Sequence, residues 1–275
     1  MVDVFSLTSG LRRAMLTTFD GVPIEAVYEP SERGTAATAV VAAHGFTGSV
    51  DRPAVRRAAR AFARRAAVVT FSFRGHGGSG GRSTVGDREV LDLAAAVAWA
   101  RELGHARVVT VGFSMGGSVV LRHAALHREH TGRTEAHVPG ARGAGTHIAT
   151  HTDAVAAVSA PARWFYRGTA PMRRLHWVVT RPAGRLVGRY GLGTRIDPRD
   201  WDPVPLSPVE AVPLIAPTPL LIVHGDRDPY FPVDHPRMLA AAGDAELWLE
   251  HGMGHAENAA DDALLARLAD WLTRA

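Results

Sequence analysis

The sequence predicts a doubly wound, mostly parallel α/β sheet of eight strands, flanked by helices and carrying a small helical insertion. After an opening hairpin, short apolar runs alternate with stretches of helical period along most of the chain. The runs are continuous in Val, Ala, Ile and Leu rather than alternating with polar residues, which marks strands covered on both faces. Between 108 and 126 one such run passes through Gly112-Phe113-Ser114-Met115-Gly116-Gly117 straight into helical spacing, a strand-to-helix turn with a serine at its tip.

Residues 13–19 and 23–28 read as two strands joined at Asp20-Gly21, a hairpin signal. A third strand, 38–43, ends at His44-Gly45-Phe46-Thr47-Gly48. Residues 53–65 form a helix with Ala and Phe62 inward and arginines outward. The next strand, 67–73, leads into the glycine-rich loop Arg74-Gly75-His76-Gly77-Gly78-Ser79-Gly80-Gly81, and 87–101 has helical period. The serine turn follows. Residues 127–153, rich in Gly, Thr and His, break the rhythm and read as a mobile insertion. A strand at 154–159 restores it. A second departure, 161–213, holds Trp164, Phe165, Tyr166, Trp177, Tyr190 and Trp201 among arginines. The strand 220–224, a helix at 233–242, a last strand at 246–249 and a closing helix at 259–274 complete the chain. The expected division is a core of 1–160 and 214–275, with 161–213 as a cap.

At 275 residues and 46% apolar composition the chain has enough material for one such domain and its insertion. All 31 basic residues are Arg, yet the net charge is only +4, and the arginines read as dispersed and interleaved with acids, a composition bias rather than a nucleic-acid footprint. The absence of Cys excludes disulfides and thiolate metal sites. Met1-Val2-Asp3-Val4-Phe5-Ser6-Leu7 lacks the basic-then-apolar order of a secretory leader, and no apolar run reaches the roughly 20 residues of a spanning helix. A cytoplasmic protein without stable membrane insertion is expected. Nothing in the sequence fixes an oligomeric state.

A serine forced outward on a sharp turn has its hydroxyl free for chemistry, and the helix beneath it favours negative charge. A serine hydroxyl needs a base, and the base needs a carboxylate to fix its tautomer. In a parallel sheet these groups belong on loops at the carboxyl ends of strands. Downstream of Ser114, Asp226 and Asp228 follow the 220–224 strand, and His255 follows the last strand.

With these motifs the chain resembles the α/β-hydrolase superfamily over nearly its whole length outside the two irregular stretches. The resemblance rests on His44-Gly45-Phe46, Arg74-Gly75-His76-Gly77-Gly78-Ser79, Gly112-Phe113-Ser114-Met115-Gly116-Gly117, His224-Gly225-Asp226-Arg227-Asp228 and Gly254-His255. It implies Ser114 as nucleophile, His255 as base and Asp228, the second carboxylate of its loop, as orienting acid, with Asp226 structural. It implies the Phe46 and Met115 amides as oxyanion donors, and His44 as a loop-shaping residue rather than a base. The expected substrate is a small acyl ester, handled without metal or organic cofactor. Thioesterase, peptidase, perhydrolase and hydroxynitrile lyase chemistries share the constellation, whereas a Ser rather than an Asp at 114 disfavours dehalogenase and epoxide hydrolase chemistry. A ligand-binding protein on a retired hydrolase fold is the non-enzymatic alternative.

Three other patterns compete for a function. Gly75-His76-Gly77-Gly78-Ser79-Gly80 fits a dinucleotide fingerprint, but 82–86 separate it from the next helix and the following strand delivers Ser114. His123, His127 and His130 are spaced to share a helix face, followed by His137, His147 and His151. Without a carboxylate in register for zinc they read as a solvated helix end, and most of the 14 histidines as surface residues. The aromatic and arginine-rich stretch 163–195 reads as a cap over the site, ahead of a membrane-surface face or a packed helical segment without a role.

Overall fold

The computed structural model describes residues 10–34, 37–128 and 149–275. The leader reading at 1–7, the histidines at 130, 137 and 147 and most of the 127–153 insertion lie outside these.

Among the described residues, eight strands form one sheet: β1 (Arg12–Thr17), β2 (Pro23–Glu29), β3 (Thr38–Ala43), β4 (Ala67–Phe71), β5 (Arg107–Phe113), β6 (Val155–Val158), β7 (Leu220–Gly225) and β8 (Glu246–Glu250). Their order is β1-β2-β4-β3-β5-β6-β7-β8. β2 runs antiparallel to both β1 and β4, and every other pairing is parallel. Strand side chains alternate between two cores, as a period of two requires. Val41, Val69 and Ile222 face α2 (Glu89–Glu102), α3 (Met115–Leu126) and the later α7 (Asp234–Ala241). Val40, Val68, Val111 and Val223 face α1 (Pro53–Ala63) and α9 (Asp262–Arg274).

Between β6 and β7 lie α4 (Ala170–Thr180), α5 (Pro182–Gly191) and the single turn α6 (Pro208–Ala211). Pro182 opens α5 directly after α4. Glycines allow close approach here: a Cβ at Gly184 would collide with the Trp177 carbonyl of α4, and one at Gly188 with Ile196 beyond α5. The closing helix read as 259–274 begins three residues later, as α9, because Asp261 caps it by accepting from Leu264 N–H at 2.8 Å, and a single turn, α8 (Ala256–Ala259), precedes it.

Arg74 anchors the hairpin to the sheet. Its buried guanidinium pairs with the fully buried Asp92 at 2.7 Å and reaches Asp20 at 2.7 Å. The hydrogen bond from Arg74 draws the Asp20 carboxyl from an ordinary 3.8 down to about 2, against the upward push of burial. Unfolding restores the ordinary value, so below about pH 4 the unfolded chain binds this proton more tightly than the folded one. Stability from Asp20 is therefore complete above about pH 4 and lost as pH falls through about 2. In thermal melts across that window, Tm should fall more steeply for the native chain than for Asp20→Asn.

The glycine-rich loop is closed on protein groups. Gly78 N–H donates to Glu25 at 3.0 Å, Gly75 N–H to Gly80 O at 2.8 Å, and a Cβ at Gly75 would strike Arg195 O and Ser83 N. Close approach to β2 and to the 195 segment accounts for these glycines.

The surface assignment of the histidines is corrected. His44, His76, His105, His123, His224 and His235 are buried, and His123 stacks on His127 at 4.5 Å inside the end of α3 rather than facing solvent. A neutral imidazole is a flat, largely apolar body, and burial drives the His123 and His235 pKa values down, favouring that neutral form.

Candidate active site

Ser114 sits between β5 and α3 with φ 52° and ψ −112°, a left-handed backbone that side chains rarely adopt. The turn is this tight because the glycines allow it: a Cβ at Gly112 would collide with the Gly116 carbonyl, and one at Gly116 with the Ala43 carbonyl at the end of β3. Ser114 N–H is held by Val158 O of β6 at 2.8 Å. The hydroxyl is thereby lifted off the carboxyl end of the sheet.

The loops after β7 and β8 bring the other residues to it. His255 Nε2 lies 2.8 Å from Ser114 Oγ, and His255 Nδ1–H donates to Asp228 Oδ2 at 2.7 Å. Asp228 Oδ1 accepts from Tyr230 N–H at 2.8 Å and Phe231 N–H at 3.1 Å. Burial pushes this carboxyl upward, but the bond and charge of His255 and the two amides outweigh it and hold it below the ordinary range. Tyr230 covers the imidazole face at 4.3 Å between ring centroids, and His224, fully buried, donates to Phe231 O at 2.8 Å. An imidazole held in this tautomer presents a lone pair to the serine hydroxyl and can take its proton.

Asp226 stands apart. It accepts from Gly252 N–H at 2.7 Å and from His251 at 2.7 Å on the exposed side of the β8 turn. The structure thus joins Ser114, His255 and Asp228 and leaves Asp226 out.

His44 shapes a loop. Burial drives its pKa down to about 3, so at neutral pH Nε2 accepts from Phe73 N–H at 3.0 Å while Nδ1–H donates to Gly45 O at 2.6 Å. The amides of Phe46, just beyond that loop residue, and of Met115, the first residue of α3, donate to no acceptor among the described residues. Both are therefore available as donors.

A cavity of about 450 Å³ opens beside Ser114. Phe46, Met115, Val85 and Phe231 line it from the sheet side, and Trp164, Met172, Leu175, Val179 and Trp201 from the 161–213 stretch. Trp164 Nε1–H donates to Pro205 O and Trp201 Nε1–H to Thr84 O, at 2.9 and 2.7 Å. With both indole donors engaged by backbone, the rings offer mainly carbon to the cavity. Trp177 and Tyr190, in contrast, are exposed.

Two carboxylates that sequence reasoning did not single out complete the setting. Glu89, fully buried, accepts from Ser83 Oγ, from Thr84 Oγ1 and from the Thr84, Val85 and Gly86 amides, fixing the 83–86 wall of the cavity. Glu257, 5% exposed, accepts from Gly45 N–H at 3.0 Å, while its second oxygen is buried without a partner among the described residues. No local pattern reveals this, since Gly45 and Glu257 are 212 positions apart.

The mostly parallel sheet thus carries a serine on the elbow after β5 and a hydrogen-bonded Asp and His on the loops after β7 and β8. A family model of the α/β hydrolase fold matches residues 38–167. The esterase Pf2001 of Pyrococcus furiosus superposes with a TM-score of 0.70 at 21% identity, over 100% of this chain and 95% of that one. The α/β hydrolase GrgF of Penicillium sp. gives 0.67 at 18%, over 96% and 98%. Est1E of Butyrivibrio proteoclasticus, with ferulic acid bound, gives 0.60 at 19%, over 94% and 98%. No curated protein matches the chain. Residues 38–167 thus match the α/β hydrolase model, and the chain as a whole has the α/β hydrolase fold.

Proposed function

We propose that the protein is a serine hydrolase of carboxylic esters, with residues 161–213 as its cap. The observation carrying this reading is the unbroken hydrogen-bond path from Ser114 Oγ through His255 to Asp228. Ser114 attacks the ester carbonyl carbon as its proton passes to His255 Nε2. The tetrahedral oxyanion is held by the Phe46 and Met115 amides, and His255 returns the proton to the departing alkoxide. Water then attacks the acyl-enzyme with His255 again as base, releasing the acid and restoring Ser114. None of these steps needs a metal or organic cofactor, and a cytoplasmic setting fits the reading. Among the described residues no helix is long and apolar enough to cross a membrane.

The carbon-faced cavity suits an apolar acyl group of short to medium length. On a panel of p-nitrophenyl esters, kcat/KM should rise and then fall with acyl length. Labelling by a fluorophosphonate without hydrolysis of any member would replace the ester reading with a thioester or peptide one; neither labelling nor hydrolysis would leave a binding protein.

Glu257 is expected to position the oxyanion loop through Gly45 N–H. Glu257→Leu should lower kcat about tenfold, with KM within about twofold, because the misplaced donor acts mainly on the transition state. Glu257→Gln retains an acceptor for Gly45 and should recover most of the rate in steady-state kinetics.

A further inference from the structure

The 163–196 stretch carries eight arginines and no Asp or Glu, although the whole chain is only +4, so the remainder is net acidic. Several arginines elsewhere pair with a nearby carboxylate: Arg13 with Glu25 and Asp51, Arg65 with Asp270, Arg101 with Asp153, Arg267 with Glu250. Among the described residues, none of the eight pairs with a carboxylate. Arg173 and Arg185 donate instead to backbone carbonyls, and Arg189 lies 5.4 Å from the Tyr190 ring.

The same helices expose apolar side chains. Leu175 and Val179 of α4 face the cavity, while Trp177 is exposed. On α5, Gly184 and Gly188 face inward, while Leu186, Val187 and Tyr190 (77% exposed) face outward. Unneutralised guanidiniums interleaved with Trp, Tyr and branched aliphatics match a surface that is anionic at its headgroups and apolar just beneath. A nucleic acid would satisfy the arginines but leave Leu186 and Val187 in water.

We propose that the outward face of α4 and α5 is a docking surface for an anionic phospholipid membrane. Its inward face lines the cavity beside Ser114, so docking brings the pocket to where apolar esters partition. The surface is independent of the esterase reading, and its test measures binding alone.

The Ser114→Ala chain is mixed with phosphatidylcholine vesicles, with or without phosphatidylglycerol, and bound protein is measured by flotation. Binding should require phosphatidylglycerol and disappear in high salt. At about fivefold per basic residue near such a surface, Arg174→Glu, Arg181→Glu and Arg189→Glu combined should weaken it by at least about 100-fold. Trp177→Ser with Tyr190→Ser should weaken it as well. On a Ser114 background both sets should keep the wild-type rate on p-nitrophenyl acetate and the wild-type Tm, which excludes misfolding. Failure to bind phosphatidylglycerol vesicles, or undiminished binding by the arginine set, overturns the proposal. Undiminished binding by the aromatic set, with competition by duplex DNA, overturns it in favour of a nucleic acid.

Discussion

Ser114→Ala is expected to abolish fluorophosphonate labelling and to lower kcat on p-nitrophenyl esters by roughly 10⁵–10⁶-fold. The loss is chemical rather than structural. The elbow is built by Gly112, Gly116 and the Val158 carbonyl, and none of these contacts the hydroxyl. Alanine pays the same backbone strain as serine at φ 52°, so Tm should stay within a few degrees of wild type. A folded variant that still carries the label would place the nucleophile elsewhere.

Asp228→Asn should lower kcat by about 10⁴-fold, and Asp226→Asn by less than about tenfold. The carboxylate at 228 can only accept, which fixes the proton on His255 Nδ1 and leaves Nε2 open to Ser114. An Asn amide held by the Tyr230 and Phe231 amides turns its NH₂ toward the ring, and the imidazole answers with the opposite tautomer, unable to take the serine proton. Asp226 supports only the turn at Gly252. Rates for the two variants, with Tm as control, separate the roles; the reverse ranking would reassign the acid.

Ser114, Asp228 and His255 were readable in the sequence because each sits in a short motif after a strand whose apolar run is itself unmistakable. The strands and their burial on both faces follow from the same runs, whereas the strand order rests on pairings that no run encodes. What escaped depends on partners far apart in the chain. Glu257 looks like an ordinary first-turn acid of α8 until Gly45 is brought against it, and Glu89 like any helix-opening carboxylate until the 83–86 backbone folds over it. Histidines misled because residue type speaks of polarity, whereas His44 and His224 owe their burial to backbone partners that only the fold supplies. The aromatics of 161–213 gave no periodicity that distinguishes Trp164, turned inward, from Trp177, turned out.

The bond from Trp201 to Thr84 O and the strand-like bridge between Ser83 and Ile196 make the far end of the insertion and the 83–86 loop a single seam. On the proposed reading of 161–213 as a cap, transplanting it between relatives to change selectivity would therefore succeed only as a matched set, with its own version of that loop and of the glutamate beneath it. A graft of the helices alone would arrive with its hinge post missing.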